Sequence, residues 1–150
     1  MIHKCFGGAI NYRGAAIIPV NGTINAESYL TILQQGIPQT VANLALHSFQ
    51  LMDDNATPHR ARIVEQYKEL HGIRTLQWPA NSPELNPLED IWCLWKTRIR
   101  RRTPLNRVQL LNFAVQEWRN VTQNEIRVRI RSLPKRLAAV IAAKGYNTKY

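Results

Sequence analysis

Two cysteines, Cys5 and Cys93, are all that this 150-residue chain contains, and they stand far apart. No CxxC pair exists, which excludes a disulfide framework and a thiolate zinc site and fits reduced thiols in an intracellular protein. No apolar run reaches the ~18 residues that a membrane span requires. The opening MIHKCFGG lacks the apolar core of a secretory signal. A glycine-rich phosphate loop and a GxSxG elbow are both missing, and His3, His47 and His71 show no ligand spacing. With no internal repeat and no low-complexity linker, a single domain is expected, long enough to bury a real core.

Acids are also few: 10 Asp+Glu face 20 Lys+Arg, a formal charge of +10. The excess is concentrated. Residues 96–136 hold 12 Lys+Arg against Glu117 and Glu125, so this window carries the whole net charge. Such a block usually faces a polyanion, although a solvated helical face is the plainer alternative. Four Trp and five Tyr argue against disorder.

Along the chain, 3–10 and 14–20 read as a hairpin around Asn11-Tyr12-Arg13-Gly14. Asn25 caps a helix with apolar positions 29, 30, 32 and 33, which Gly36 and Pro38 interrupt; 41–47 follows as a second helical piece. FQLMDD (49–54) reads as a buried strand. Thr57-Pro58 opens a helix carrying Ile63, Val64, Tyr67 and Leu70 and ending at Gly72. IRTLQW (73–78) is the next strand, parallel to the first by the crossover rule and covered on both faces. A proline-rich loop then leads to helices over 88–102 and about 104–120, and to a last segment from Thr122 that Pro134 kinks or splits.

Two acids bracket the middle of this order, with 34 residues between Asp54 and Glu89. Asp54 ends the first strand, at the carboxyl edge where such sheets bind ligands. Glu89 sits in the first turn of the 88–102 helix, behind Asn86 as N-cap and Pro87. Each has a plain reading of its own. Asp-Asn is a common turn pair, and Asn86-x-x-Glu89 fits a capping box. His59 alone reads as a surface residue, and the tryptophans read as core.

The combination weighs differently. DDNATPHRAR (53–62) and LQWPANSPELNPLEDIW (76–92), at their separation, resemble the second and third catalytic blocks of mariner-superfamily transposases, Tc-type branch. Those blocks contain Asp-Asn-x-x-Pro-His and Trp-Pro, Ser-Pro-x-Leu-Asn-Pro-x-Glu. GTINAESYLTIL (22–33) and IRVRIRSLPKRLAAVIAAKGYNTKY (126–150) extend the likeness over essentially the whole chain. The resemblance implies an α/β, ribonuclease-H-like fold and a DDE endonuclease that cuts and joins DNA in transposition and integration. In that family three carboxylates hold two Mg²⁺ (or Mn²⁺), hard cations that keep room for phosphate oxygens. Asp54 matches the second acid and Glu89 the third. Asp53 does not, because the motif's asparagine follows Asp54 directly. Asn55 and His59 of the same motif, with Lys96, Arg98, Arg100, Arg101 and Arg102 after the catalytic helix, are the residues expected at DNA.

The family's first aspartate lies on a central strand upstream of the hairpin, and here no acid precedes Glu27. The expectation is a partial catalytic domain over 1–150 (hairpin 3–20, strand–helix–strand 49–78, helical tail 88–145), truncated before its first central strand. Weakened or lost metal binding, no autonomous cleavage and open strand edges should follow. DNA through its phosphates and another transposase chain are the expected partners, in the nucleus, with no small-molecule substrate. The competing expectation is a non-enzymatic DNA-binding or transposase-interacting protein, or a relic.

Overall fold

The computed structural model describes residues 6–20, 22–43, 46–79 and 82–144. Its elements are β1 (Phe6–Asn11), β2 (Gly14–Pro19), α1 (Ala26–Asn43), α2 (Arg62–Leu70), α3 (Pro87–Arg101), α4 (Arg107–Arg119) and α5 (Gln123–Ala142). Short 3₁₀ turns lie at Thr57–Arg60 and Pro83–Leu85. The chain forms two compact units. One runs through Ala9 and resumes at Ala16–Ser82; the other takes Ile10–Ala15 and the described residues from Pro83 onward. Among the described residues no helix is long and apolar enough to cross a membrane.

The hairpin forms where expected, with residues 3–5 outside the described chain. Its turn is held by Asn11, whose Oδ1 accepts from the amides of Arg13 (2.7 Å) and Gly14 (3.1 Å), as short polar side chains do at turns. At the start of α1, Asn25 Oδ1 accepts from Ser28 N–H and Ser28 Oγ accepts from Asn25 N–H, both at 2.8 Å. This helix corrects the expectation of a break, because it runs unbroken through Gly36 and Pro38 to Asn43. Gly36 is a packing notch: a Cβ there would lie 2.1 Å from Ile18 Cδ1 on β2. The first unit's core is Tyr29, Leu33 and Val64, with Leu51 and Tyr67 packed against it. Of the expected 41–47 piece, residues 41–43 belong to α1, and 44–45 lie outside the described residues.

The strands at 49–54 and 73–78 shrink to one parallel bridge, Leu51 with Thr75. Two hydrogen bonds make it, Leu51 N–H to Arg74 O (2.8 Å) and Leu76 N–H to Leu51 O (2.7 Å). Parallel pairing is as expected; extent and burial are not. Phe49 and Leu76 are exposed. Among the described residues neither segment hydrogen-bonds a further strand, so no ladder propagates. The helix expected from Thr57 also differs. Thr57–Arg60 is a 3₁₀ turn, Ala61 is extended (φ −63°, ψ 143°), and α2 starts only at Arg62. Its buried face is narrower than the apolar pattern suggests: Val64 and Lys68 are covered, whereas Leu70 is 82% exposed. Gly72 ends it with φ +62°, a left-handed backbone that glycine takes without strain.

In the second unit α3 packs against α4 and α5. Asn86 caps α3 by accepting from Leu88 N–H (3.0 Å), with Pro87 in the first helical position. Ile91, Trp92, Trp95 and Ile99 form the buried stripe, joined by Leu85, Ala114, Trp118 and Ile126. Trp92, Trp95 and Trp118 meet with ring centroids 4.8–5.9 Å apart, so these three tryptophans are core. α4 begins at Arg107 rather than near Thr103. Asn106 is its cap (Gln109 N–H to Oδ1, 2.9 Å), and Gln109 Oε1 accepts from Leu105 N–H (3.0 Å). The Thr122–Glu125 capping box is present, and α5 continues through Pro134 without splitting. Cys93 is a free, exposed thiol, and Cys5 lies outside the described residues.

Candidate functional site

The first unit places the Asp53–His59 segment at the end of the Leu51 bridge. Successive side chains of an extended segment point to opposite faces, and here the two aspartates part. Asp53 turns inward, 6% exposed, with Oδ2 3.0 Å from Lys68 Nζ. Asp54 turns outward, 58% exposed, and its Oδ1 accepts from Ala56 N–H at 3.0 Å. Asn55 follows in the left-handed region (φ 58°), which asparagine enters more readily than most residues. Its Nδ2 donates to Trp78 O at 2.6 Å, so this side chain is committed to the fold.

No motif in the sequence marks Lys68. Its ammonium, 4% exposed, reaches Asp53 Oδ2 (3.0 Å), Glu65 Oε1 (2.9 Å) and His59 O (3.2 Å). Burial alone would lower its pKa, but the hydrogen bonds and charges of Glu65 and Asp53 outweigh it and hold the group above its ordinary value. The available signal is a lysine four residues after Val64, on the helix's buried face. Tyr29 shows in the sequence only as an apolar helix position, yet its ring covers His59 at 3.9 Å between centroids. Burial, then Asp53, Asp54 and Glu65, push the Tyr29 hydroxyl up, so it remains protonated.

His59 is half-buried rather than at the surface. Its Nδ1 stands 2.8 Å from Asp54 Oδ1. Burial lowers its pKa below 6.5, against the opposing charges of Asp54 and Asp53 and with the help of Lys68. Burial thus favours the uncharged form of the ring beside Asp54.

In the second unit Glu89 and Asp90 share the first turn of α3, where acids favour the helix dipole. Arg136 hydrogen-bonds Asp90. Glu89 remains exposed. The capping box expected to engage it does not close, because Asn86 N–H donates to Pro83 O (3.0 Å) instead.

The basic residues divide in the same way. Arg98 pairs with Glu125 (2.5 Å) and donates to Asn120 O. Arg102 pairs with Glu117 (3.0 Å) and Gln116 (2.8 Å) and lies 3.7 Å over the Phe113 ring. Both cations tie α3 to its neighbouring helices. Arg127 and Arg131 lie over Tyr12. Arg100 and Arg101 are exposed, and Lys96 is half-exposed; among the described residues none of these three meets a carboxylate. No group of three or more His, Cys, Asp or Glu suited to a metal gathers among the described residues.

Residues 4–111 match the model of the DDE superfamily endonuclease family. The chain belongs to that family. This DDE endonuclease chain is 32% identical over 130 residues to the Tcb1 transposase of Caenorhabditis briggsae, covering 86% of this chain and 47% of that protein. With the Tc3 transposase of Caenorhabditis elegans it shares 26% over 133 residues, or 87% and 40% of the two chains. Tcb2 transposase of Caenorhabditis briggsae is 27% identical over 150 residues, with 54% of it covered. These relatives place the chain in the Tc-type branch of the mariner superfamily, and it spans about half their length. Among solved structures, the catalytic domain of Mos1 mariner transposase matches with TM-score 0.75 and 19% identity over 93% of this chain and 73% of that one. The Mos1 paired end complex with Mn gives TM-score 0.81 at 19% identity, over 93% and 43%. These likenesses establish the ribonuclease-H-like fold, here helix-rich with a small two-stranded sheet.

Proposed function

We propose that this chain is part of a transposase catalytic domain, and that Asp54 and Glu89 are the residues that match the family's second and third metal-binding acids. The observation that carries this reading is a contrast between neighbours. Asp53 is paired with Lys68 and Asp90 with Arg136, whereas Asp54 stays exposed with only the His59 ring beside it, and Glu89 stays exposed with no ion pair among the described residues. The motif selects the two carboxylates that pair with no lysine or arginine among the described residues.

Their chemistry fits Mg²⁺ or Mn²⁺, which prefer hard oxygen ligands and retain waters. Structures of the Mos1 catalytic domain described as with Mg and with Mn support that choice. Divalent ions held by Asp54 and Glu89 would supply Lewis acidity for phosphodiester chemistry. The chain's own contribution is positional. Ala56 N–H orients Asp54 Oδ1, the His59 ring lies against that carboxylate, and the α3 N-terminus carries Glu89. Lys96, Arg100 and Arg101 hold the backbone of DNA through phosphate neutralisation, in keeping with a Mos1 complex described with the left transposon end. The setting is nuclear.

Two carboxylates are one fewer than the family uses, so these 150 residues alone bind metal weakly and neither cleave nor join DNA. A non-enzymatic role at DNA is favoured by Arg100 and Arg101, which are exposed and meet no carboxylate among the described residues; pairing with an intact transposase chain is the other form of this reading. Calorimetric titration with Mn²⁺ of the chain and of an Asp54→Ala, Glu89→Ala variant tests the main reading. Micromolar-to-millimolar binding that the variant loses supports a surviving partial site. Equal binding, or none, sinks it and leaves the DNA-binding role.

A further inference from the structure

Asp54 is presented outward by a small buried network whose centre is Lys68. All three ammonium protons of Lys68 have acceptors, Asp53 Oδ2, Glu65 Oε1 and His59 O. One of these fixes the residue before Asp54, and another fixes the residue whose ring stands against it. The other oxygen of Asp53, Oδ1, accepts from Asn55 N–H at 3.3 Å. Asn55 is held in its left-handed conformation and locked to Trp78 O at 2.6 Å. The residues on both sides of Asp54 are thus tied down, one through Lys68 and one through Asp53 and Trp78. With Asp53 drawn inward, alternation along the chain sends Asp54 outward.

We propose that Lys68 is a positioning residue for Asp54, acting through Asp53 and Asn55 to hold the turn that aims the Asp54 carboxylate into solvent. It touches no reacting atom. The proposal rests on the reading of Asp54 as a metal ligand, and it adds a residue outside both acidic motifs. A buried ion pair is weak evidence of a stabilising role. Replacing both partners with apolar residues of similar volume is often neutral or stabilising, whereas removing one partner strands a buried charge. The proposal therefore assigns this pair to geometry rather than to stability.

That difference supplies the test. Asp53→Leu, Lys68→Met removes both charges and the Oδ1 acceptor while keeping shape. In the metal-free chain, the expected result is a melting temperature within a few degrees of wild type. Exchange protection of the Asn55 side-chain amide protons should fall at least tenfold by NMR, because the turn no longer holds them on Trp78 O. Wild-type protection in the folded double variant would overturn the proposal. Should that variant fail to fold, Lys68→Arg keeps the buried charge but cannot bring one nitrogen to three acceptors. A loss of Asn55 protection in it supports the assignment, and full protection refutes it. A parallel Mn²⁺ titration should show affinity weakened about tenfold by either folded variant. If wild type binds Mn²⁺ no better than Asp54→Ala, the metal reading fails, while the Asn55 exchange still decides whether Lys68 sets the turn.

Discussion

Trp95 is the residue on which the second unit most depends, and its replacement gives a calculable loss. The side chain is 0% exposed. It lies between Trp92 and Trp118, with centroids 5.0 and 5.9 Å away, and its Nε1 donates to Ala114 O on α4 at 2.8 Å. Trp95→Ala opens a cavity where α3 meets α4. Substitutions of this kind cost ~3–5 kcal/mol, and the value should lie at the upper end because a buried carbonyl also loses its donor. Stabilities of whole domains are about 5–15 kcal/mol, so a loss of about 5 kcal/mol removes a third or more of the total. Trp95→Phe retains most of the aromatic packing and gives up the indole hydrogen bond, for an expected loss of roughly 1–2 kcal/mol. Urea unfolding followed by far-ultraviolet circular dichroism measures both, since the signal comes from the helices rather than from the altered tryptophan. A loss below about 1 kcal/mol for Trp95→Ala would refute the claim that this cluster holds α3 and α4 together.

Other consequences are accessible to the same chain. Burial pushes the Glu125 carboxyl up, but hydrogen bonds from the Thr122 amide and hydroxyl, and Arg98, overcome this and leave it below 4.5. A depressed carboxyl stabilises the fold above its unfolded pKa and loses that contribution as pH falls through the folded value. Glu125→Gln should therefore flatten the acid side of a melting-temperature profile below pH 4.5. His59 acts in a higher window. Its lowered pKa makes the neutral ring stabilising above pH 6.5, with loss as the pH drops below that value, so His59→Asn should remove part of the slope there. Pro134 lies exposed inside α5 and supplies no amide to the helix; Pro134→Ala should raise stability by ~1–3 kcal/mol in urea titrations, and an unchanged midpoint would contradict a strained helix. Finally, Arg100→Ala and Arg101→Ala should each make the fall of log K with log salt shallower for duplex DNA, by ~0.9 for every phosphate the arginine neutralises. Arg102→Ala should instead lower stability, since Arg102 is bound to Glu117 and Phe113.

Much of the local structure can be read directly from the chain because its causes lie within a few residues. Asn25 with Ser28, Asn86 with Leu88, and Thr122 with Glu125 are caps whose donors and acceptors lie two or three positions apart. The buried stripe of α3 follows from helical spacing in the same way. The motif around Asp54 and Glu89 is equally visible, since it is a matter of residue identity and separation. Local punctuation misleads wherever a distant partner changes its meaning. Gly36 reads as a helix breaker, but Ile18 fills the notch beside it. The 49–54 and 73–78 strands read as buried and regular, but pairing depends on neighbours that no periodicity specifies. The fates of the individual charges cannot be read at all. Asp53 and Asp54 are adjacent and chemically identical, and Asp90 follows Glu89. Which of them is neutralised depends on Lys68, 15 residues from Asp53, and on Arg136, 46 residues from Asp90. A carboxylate's availability is set by the nearest cation in space, and that distance exists only once the chain has folded.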